Sequence, residues 1–341
     1  MDIKDLTLGD LEDLMEKVSD HAYTAHQIYR WIYKKGVFDF NLMSNLSKDL
    51  RSELSRSYTC EPPVPADKLV SSDKTCKYLF ELKDGRYVEA VMIPSGKRNT
   101  LCISTQVGCK FRCVFCASGL KGFIRDLSVS EIISQILYPL MREGKKITNY
   151  VFMGMGEPFD NYDNVMKAVS VMNEPRGLKI GARNITISTC GIIPGIKKLM
   201  ETGLEVNLSV SLHAARDDLR NKIVPVNRKY PIKKLINICR KYFEKTGRIV
   251  TIEYVLLAEC NDSSEDALLL ADISKNMQAK INLIPYSPVS ELDYHAPSSG
   301  KINTFFRNLE RAHARVTLRK SRGKDISAAC GQLCMIKKHE I

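Results

Sequence analysis

The chain has 341 residues, 44% of them hydrophobic and 26% charged, with a formal net charge of +12. That balance excludes a disordered polypeptide, and the length suffices for one large domain or two ordinary ones. No run approaches 18 apolar residues and the opening MDIKDLTLGD is acidic, so the expectation is a cytoplasmic protein with no membrane segment and no export signal. The basic excess points instead to a polyanionic partner.

In chain order, the first 60 residues read as helical. Leu8, Leu11, Met15 and Val18 fall at helix spacing, as do Ile28, Trp31 and Ile32, with Gly36 as a stop. Between His26 and Lys35, the bases Arg30, Lys34 and Lys35 interleave with Tyr29, Trp31 and Tyr33. Nucleic-acid surfaces look like this, but so do ordinary amphipathic helices, and the segment alone favours the ordinary helix. CEPPVPADK (60–68) carries three prolines and marks a boundary. CKYLFELKDGRYVEAVMIP then alternates like a hairpin turning at Asp84-Gly85.

From residue 98, short β-rich runs alternate with helical ones. The runs are TLCIST (100–105), NYVFMG (149–154), NITIST (184–189), VNLSVSL (206–212), IVTIEYVLL (249–257) and INLIPY (281–286), with RVTLRK (315–320) closing the series. Periodic segments such as 127–141 and 263–277 lie between them. Repeated βα units imply a parallel sheet with helices outside, and without a G-x-G-x-x-G or P-loop signature a partial or full barrel fits best. The expected division is 1–62 helical, 63–97 hairpin extension, 98–320 core and 321–341 tail.

Eleven cysteines, an odd number, are poor material for a disulfide framework. VGCKFRCVFCASG places Cys109, Cys113 and Cys116 as C-x-x-x-C-x-x-C directly after the first core run. Structural zinc takes four ligands, in two pairs, and no matching pair occurs. Three thiolates leave one corner of a [4Fe–4S] cube open, and this spacing matches that of radical S-adenosylmethionine (SAM) proteins, in which the open iron chelates SAM. Ligands of β/α barrels gather at the C-terminal strand ends. Gly156-Glu157 follow the second run, Ser188 ends the third, Ser211 and His213 end the fourth, and Ser287 follows the sixth. Each alone could be a helix cap or a satisfied rim residue; jointly they suit a cofactor pocket. Cys102 lies seven residues before the cluster motif. Cys330 lies in DISAACGQL, after a stretch (301–324) with eight Lys/Arg against one acid, a surface suited to delivering nucleic acid to a thiol.

On these residues the chain resembles the RlmN family of dual-specificity RNA methyltransferases. The resemblance is carried by QIYRWIYKKGVFDFNLMSNLSKDLR, YVEAVMIP, TLCISTQVGCKFRCVFCASGLKGFIRDL, FMGMGEP, NITISTCGIIPGI, SLHAARDDLRNKIVPVNRKYPI, IEYVLL, NLIPYSP and RGKDISAACGQL, nearly the whole length. It implies an α/β fold: a partial (β/α)6 radical SAM barrel, a small helical N-terminal RNA-binding domain and a C-terminal tail with a reactive cysteine. It implies one [4Fe–4S] cluster per chain on Cys109, Cys113 and Cys116, and two SAM molecules per turnover. SAM contacts are implied at Gly156, Glu157, Ser188, Ser211, Leu212 and His213, and at Ser287, where the family usually has Asn. Cys330 matches the S-methylated cysteine, Cys102 the resolving cysteine and Glu89 the proton acceptor.

The implied reaction places a methyl group on C2 of adenine, at adenine 2503 of 23S rRNA and adenine 37 of some tRNAs. C2 is electrophilic, so a methyl cation cannot be handed to it directly. The Cys330 thiolate takes the methyl group instead, a radical activates it for addition to C2, Glu89 takes the C2 proton, and attack by Cys102 forms a disulfide and frees the RNA. A flavodoxin reductant and a monomeric state are the family defaults. Departures from the family are Ser287, Cys334 four residues after Cys330, Ser118 where Thr is common, and YTAHQI in the N-terminal helix. Alternatives are a Cfr-type enzyme that methylates C8 of the same adenine and confers antibiotic resistance, and a non-catalytic Fe–S or zinc RNA-binding module.

Overall fold

The computed structural model describes residues 1–18, 21–120 and 122–333, so Cys334 lies outside the described residues. Three N-terminal helices come first: α1 (Leu8–Lys17), α2 (Ala22–Tyr33) and α3 (Lys48–Ser57). Strands β1 (Asp67–Val70), β2 (Cys76–Glu81), β3 (Tyr87–Ser95) and β4 (Arg98–Cys102) follow as an antiparallel meander. The segment after them holds a small two-stranded hairpin, β5 (Gln106–Gly108) and β6 (Phe123–Asp126), with the short helix α4 (Ala117–Leu120) between its strands.

The core then alternates strand and helix. It runs α5 (Val129–Leu137), β7 (Asn149–Phe152), α6 (Tyr162–Asn173), β8 (Ile185–Thr189), α7 (Ile193–Glu201), β9 (Asn207–Ser211), α8 (Asp217–Ile223) and α9 (Ile232–Thr246). β10 (Val250–Leu256), α10 (Ser264–Asn276), β11 (Ala279–Pro285), α11 (Ser299–Arg311) and β12 (Val316–Leu318) complete it. The ten-stranded sheet has the order β1-β2-β3-β4-β7-β8-β9-β10-β11-β12, parallel from β4 onward. This is the expected partial barrel, with the first hairpin and its partners added antiparallel to its leading edge.

Local chemistry sets the element ends. Reciprocal capping boxes start α1 (Thr7 with Asp10), α5 (Ser128 with Glu131) and α10 (Ser263 with Asp266). Gly247, at φ +68°, stops α9 in the left-handed conformation. The single helix expected over 127–141 does not persist: Pro139 has no amide N–H, and beyond Leu137 the chain loosens into a π turn, Tyr138–Arg142. α9 shows why the helices pack outside the sheet. Leu235, Ile238, Cys239 and Tyr242 are buried on one face, whereas Lys233, Lys234, Arg240 and Lys241 face solvent. Each such apolar side chain contributes about 1.5–3 kcal/mol on burial.

The N-terminal helices share the barrel's apolar core, which runs from Ile3 to Leu309. Tyr29 and Tyr33 are core residues of this junction, their ring centroids 4.3 Å apart, and the Tyr29 hydroxyl donates to the Val171 carbonyl at 3.4 Å. Of the three aromatics that alternate with bases in α2, only Trp31 reaches the surface, where the Lys35 ammonium lies 3.3 Å from its ring centre. The ordinary-helix reading therefore holds for the two tyrosines. Among the described residues, no helix is long and apolar enough to cross a membrane.

The tail ties the two ends of the sheet together. The Ser321 hydroxyl donates to the Pro285 carbonyl at the end of β11. The Gly323 amide donates to Asp73, and Asp325 accepts from the Ser71 hydroxyl and the Ser72 amide, in the turn between β1 and β2. The chain then climbs to the strand ends, where the Ala117 amide donates to the Gly331 carbonyl at 2.8 Å and the Ser118 hydroxyl to the Leu333 carbonyl at 2.8 Å.

Candidate active site

The three motif cysteines lie in the loop that β5 and β6 hold in place. Gly108, at φ +78°, is indispensable there, since a Cβ would come within 1.8 Å of the Gly122 carbonyl oxygen. The Cys109 amide bonds that same carbonyl, and the Cys116 amide bonds the Cys113 carbonyl. Cys109, Cys113 and Cys116 all open onto one cleft of about 940 Å³. Burial pushes the Cys109 thiol up to about 12 and raises Cys113 and Cys116 as well, with the neighbouring thiols adding to the effect. Binding of metal to such a set must displace protons. Among the described residues, no three His, Cys, Asp or Glu side chains are grouped closely enough to hold a single metal ion as they stand. An all-thiol set of three, held by one short loop, fits an iron–sulfur cluster with one open corner.

Across the cleft lie the ends of β7, β8 and β9. Gly156 has φ +95°, and a Cβ there would lie 2.5 Å from Gln106 Cβ and 2.8 Å from the Gln106 nitrogen. The Gln106 side chain in turn accepts the Glu157 amide at 2.8 Å. Glu157 Oε2 accepts the Cys190 amide at 2.7 Å and Oε1 the Phe159 amide at 3.2 Å. Burial raises its pKa, and these amide donors oppose the rise. The hydroxyls of Ser188 and Ser211 are 3.4 Å apart. His213 adopts φ +59°, its Nδ1 accepts the Val255 amide at 3.1 Å, and its ring stands edge-on to Phe115. Burial, with Arg220 next, lowers its pKa to about 3, so the ring is neutral and Nε2 carries its proton. Gly156, Glu157, Ser188, Ser211 and His213 all line the cleft. Leu212 and Ser287 are buried but do not line it; at the sixth strand Tyr286 does instead. The cleft offers fixed donors and acceptors at several strand ends, which suits a ligand with amino, carboxylate and ribose groups.

Cys330 lines the same cleft from the tail. Cys102 packs beneath it in an apolar cluster with Val91, Met155, Ala328 and Leu333, and burial, with Cys330 next, raises its thiol to about 12. Both are free thiols, as are all ten cysteines among the described residues, so the disulfide expected between them is not present in this state. Glu89 is on β3 two residues from Val91, which pairs with Cys102, so these side chains share a sheet face. It does not line the thiol cleft. Glu89 lies in a separate cavity under the tail, 2.9 Å from the Lys77 ammonium, which also donates to the Ser327 carbonyl.

Three residues of the site escaped sequence reasoning. Arg220 is fully buried behind the rim, its guanidinium bonding the carbonyls of Leu212, Ser211 and Cys190 and the side chain of Asn227. Glu253 and Arg319 line the cleft from β10 and from the residue just past β12. Burial raises Glu253, whereas Cys330 first, then Glu253 and Cys102, raise Arg319 against its own desolvation. A charged residue inside the apolar run IVTIEYVLL was the available signal for Glu253.

A partial β/α barrel with an open three-thiol loop at its strand ends defines a radical SAM protein. The radical SAM superfamily model matches residues 103–271, and the ribosomal RNA large subunit methyltransferase N-terminal domain model matches residues 1–59. A probable dual-specificity RNA methyltransferase RlmN of Thermoanaerobacter sp. is 45% identical over 332 residues, 97% of each chain. The namesake of Spiroplasma citri is 45% identical over 91% of this chain and 90% of its own. The solved structure of a radical SAM methyltransferase from Sphaerobacter thermophilus superposes with a TM-score of 0.93 at 42% identity, covering 98% of this chain and 99% of that one. The chain belongs to the RlmN family of dual-specificity RNA methyltransferases.

Proposed function

We propose that the protein methylates C2 of adenine in RNA, at adenine 2503 of 23S rRNA and adenine 37 of tRNA, with Cys330 as the methyl carrier. The observation that carries this reading is the position of Cys330: a free thiol on a tail that is hydrogen-bonded to the three-thiol loop, facing the cleft, with Cys102 packed beneath it. Cys109, Cys113 and Cys116 hold the cluster, and Gly156, Glu157, Ser188, Ser211 and His213 hold SAM. Leu212 and Ser287 support that pocket from behind. Bound there, SAM supplies a methyl group and, reduced at the cluster, the radical that activates it.

The chain's own groups do the rest. Cys330 Sγ takes the methyl group and carries it to C2, forming a thioether-linked adduct with the RNA. Glu89, beneath the tail, accepts the C2 proton. Cys102 Sγ, as the thiolate, then attacks Cys330 Sγ: the disulfide forms, the bond from sulfur to the transferred carbon breaks with its electron pair going to that carbon, and the carbon takes up a proton to become the methyl group of the RNA that leaves. The buried Cys102 thiol needs help to ionise, and the Arg319 guanidinium is the cation that acts on it. The adenine must be unstacked to reach this cleft. The physiological reductant we assign is a flavodoxin, the working state a monomer and the location the cytoplasm.

The test is nucleoside mass spectrometry of rRNA and tRNA from cells lacking the native activity. Wild-type protein restores 2-methyladenosine in both RNAs, and Cys330→Ala restores neither. An 8-methyladenosine signal overturns the C2 assignment in favour of the Cfr-type reaction. No methyladenosine of either kind, with an intact cluster, overturns the carrier role altogether.

A further inference from the structure

The barrel interior is polar below the cleft. Thr100, Asn149, Thr186, Ser209, Thr251 and Asn282 line a second cavity of about 1870 Å³, where β/α barrels ordinarily carry packed apolar layers. Five residues line both spaces and form the waist between them: Met153, Glu253, Ile284, Arg319 and Cys330. At this waist Glu253 is 4% exposed. Its Oε1 accepts from Asn282 Nδ2 at 3.1 Å and from Ser209 Oγ at 3.4 Å, which fixes the carboxyl plane. Its Oε2 is buried without a hydrogen-bond partner. An orphaned buried carboxyl oxygen costs about 1–3 kcal/mol, and beside a cavity it calls for a ligand donor. Arg319, on the same waist, supplies a donor of opposite charge.

A fixed acceptor on the same waist as a guanidinium donor is the complement of the adenine Watson–Crick edge, where N6 donates and N1 accepts. It is the inverse of the guanine edge, where O6 accepts and N1 donates. We propose that Glu253 and Arg319 read the target adenine at the waist, Glu253 Oε2 accepting from the N6 amine and the Arg319 guanidinium donating to N1. This specificity role rests on the adenine methyltransferase reading above. Extruded bases are commonly read through this edge. Because C2 is bonded to N1, an adenine held this way keeps its reacting carbon at the residue row that contains Cys330. A donor on N1 also draws electron density from the N1–C2 bond, which favours attack at C2.

The test uses the full-length, cluster-loaded enzyme and a stem-loop RNA carrying either adenine or purine, which lacks the N6 amine, at the target position. Wild type and the isosteric Glu253→Gln are compared for S-methylation of Cys330 without RNA, by intact-protein mass spectrometry, and for kcat/KM of RNA methylation. Cys330 methylation is expected to be unchanged, showing that the variant folds and uses SAM. On adenine RNA the variant is expected to lose about 10- to 100-fold, and on purine RNA wild type and variant should agree within about 3-fold. An unchanged rate on adenine RNA overturns the proposal. So does the same loss on purine RNA, which would show that Glu253 does not act through N6, and so does loss of Cys330 methylation, which would place it at the SAM step. If wild type methylates neither Cys330 nor RNA, the methyltransferase reading fails and this proposal with it.

Discussion

Gly156→Ala would expose how tightly the cleft rim that follows β7 is built. The backbone there has φ +95°, where an L-residue costs about 1–2 kcal/mol. The new Cβ would also lie 2.5 Å from Gln106 Cβ and 2.8 Å from the Gln106 nitrogen. Gln106 has little room to retreat, because its side-chain amide donates to Asp126 at 2.8 Å and Asp160 at 2.9 Å while its Oε1 accepts the Glu157 amide. Forced overlap of this kind adds about 1–3 kcal/mol, so the expected loss is about 2–5 kcal/mol. That is large against a typical stability of about 5–15 kcal/mol, yet the variant should fold at 25 °C. Gly85→Ala is the control: it has φ +75° and nothing within 4 Å of the added Cβ, so it reports the backbone cost alone. The assay is urea unfolding followed by far-UV circular dichroism, with SAM affinity measured on the folded variants. Gly156→Ala should lose clearly more stability than Gly85→Ala and bind SAM more weakly. Equal losses for the two variants would refute the packing argument.

Other residues give sharper, separate expectations. Arg220→Met takes the guanidinium donors away from the buried oxygens of Ser211, Cys190 and Asn227, while Leu212 keeps the Ala214 amide, and should cost about 3–5 kcal/mol in the same titration; a loss under about 1 kcal/mol would sink that account. His213 is neutral in the fold with its pKa near 3, whereas the unfolded chain binds a proton below about 6.5, so its contribution is complete above pH 6.5 and drains away as pH falls toward 3. The ceiling is about 5 kcal/mol, and His213→Asn should flatten the acid limb of the stability curve; an unchanged slope contradicts the assignment. Asp73→Ala with Asp325→Ala removes the bonds that strap the tail to the turn between β1 and β2, so protease cleavage within residues 321–327 should accelerate while the thermal midpoint moves by only about 2 °C. Unchanged cleavage would show that the strap is held elsewhere.

The barrel, the cluster motif and the order of rim residues could all be read from the chain, because each is a local pattern. Strand and helix periods repeat within a dozen residues, and three thiols spaced by three and two residues must share one loop. The helix over 127–141 was legible only to Leu137, since Pro139 acts on the hydrogen-bond ladder rather than on apolar periodicity. The alternating bases and aromatics of α2 looked alike on the page; burial in the core shared with the barrel is what made Tyr29 and Tyr33 core residues and left Trp31 outside. Resemblance in sequence singled out Cys102 and Cys330, but a separation of 228 positions conceals why they belong together.

Their meeting depends on the tail crossing from the end of β11 to the β1–β2 turn and then rising to α4, contacts set by side chains far apart in sequence. The same holds for Glu253, Arg319 and Arg220. Glu253 is a lone charge in an apolar strand, whereas Arg319 and Arg220 are each one among several neighbouring charges; the role of all three comes from the parallel register that sets β9, β10 and β11 side by side and from the enclosure that withholds water. By itself, then, the amino-acid order determined the kinds of element, the thiol loop and the family of the chain, because those rest on nearest neighbours. Only the tertiary structure decided which charges are buried, which carboxyl oxygen is left without a partner and which two cysteines share a wall, because those depend on distance through space.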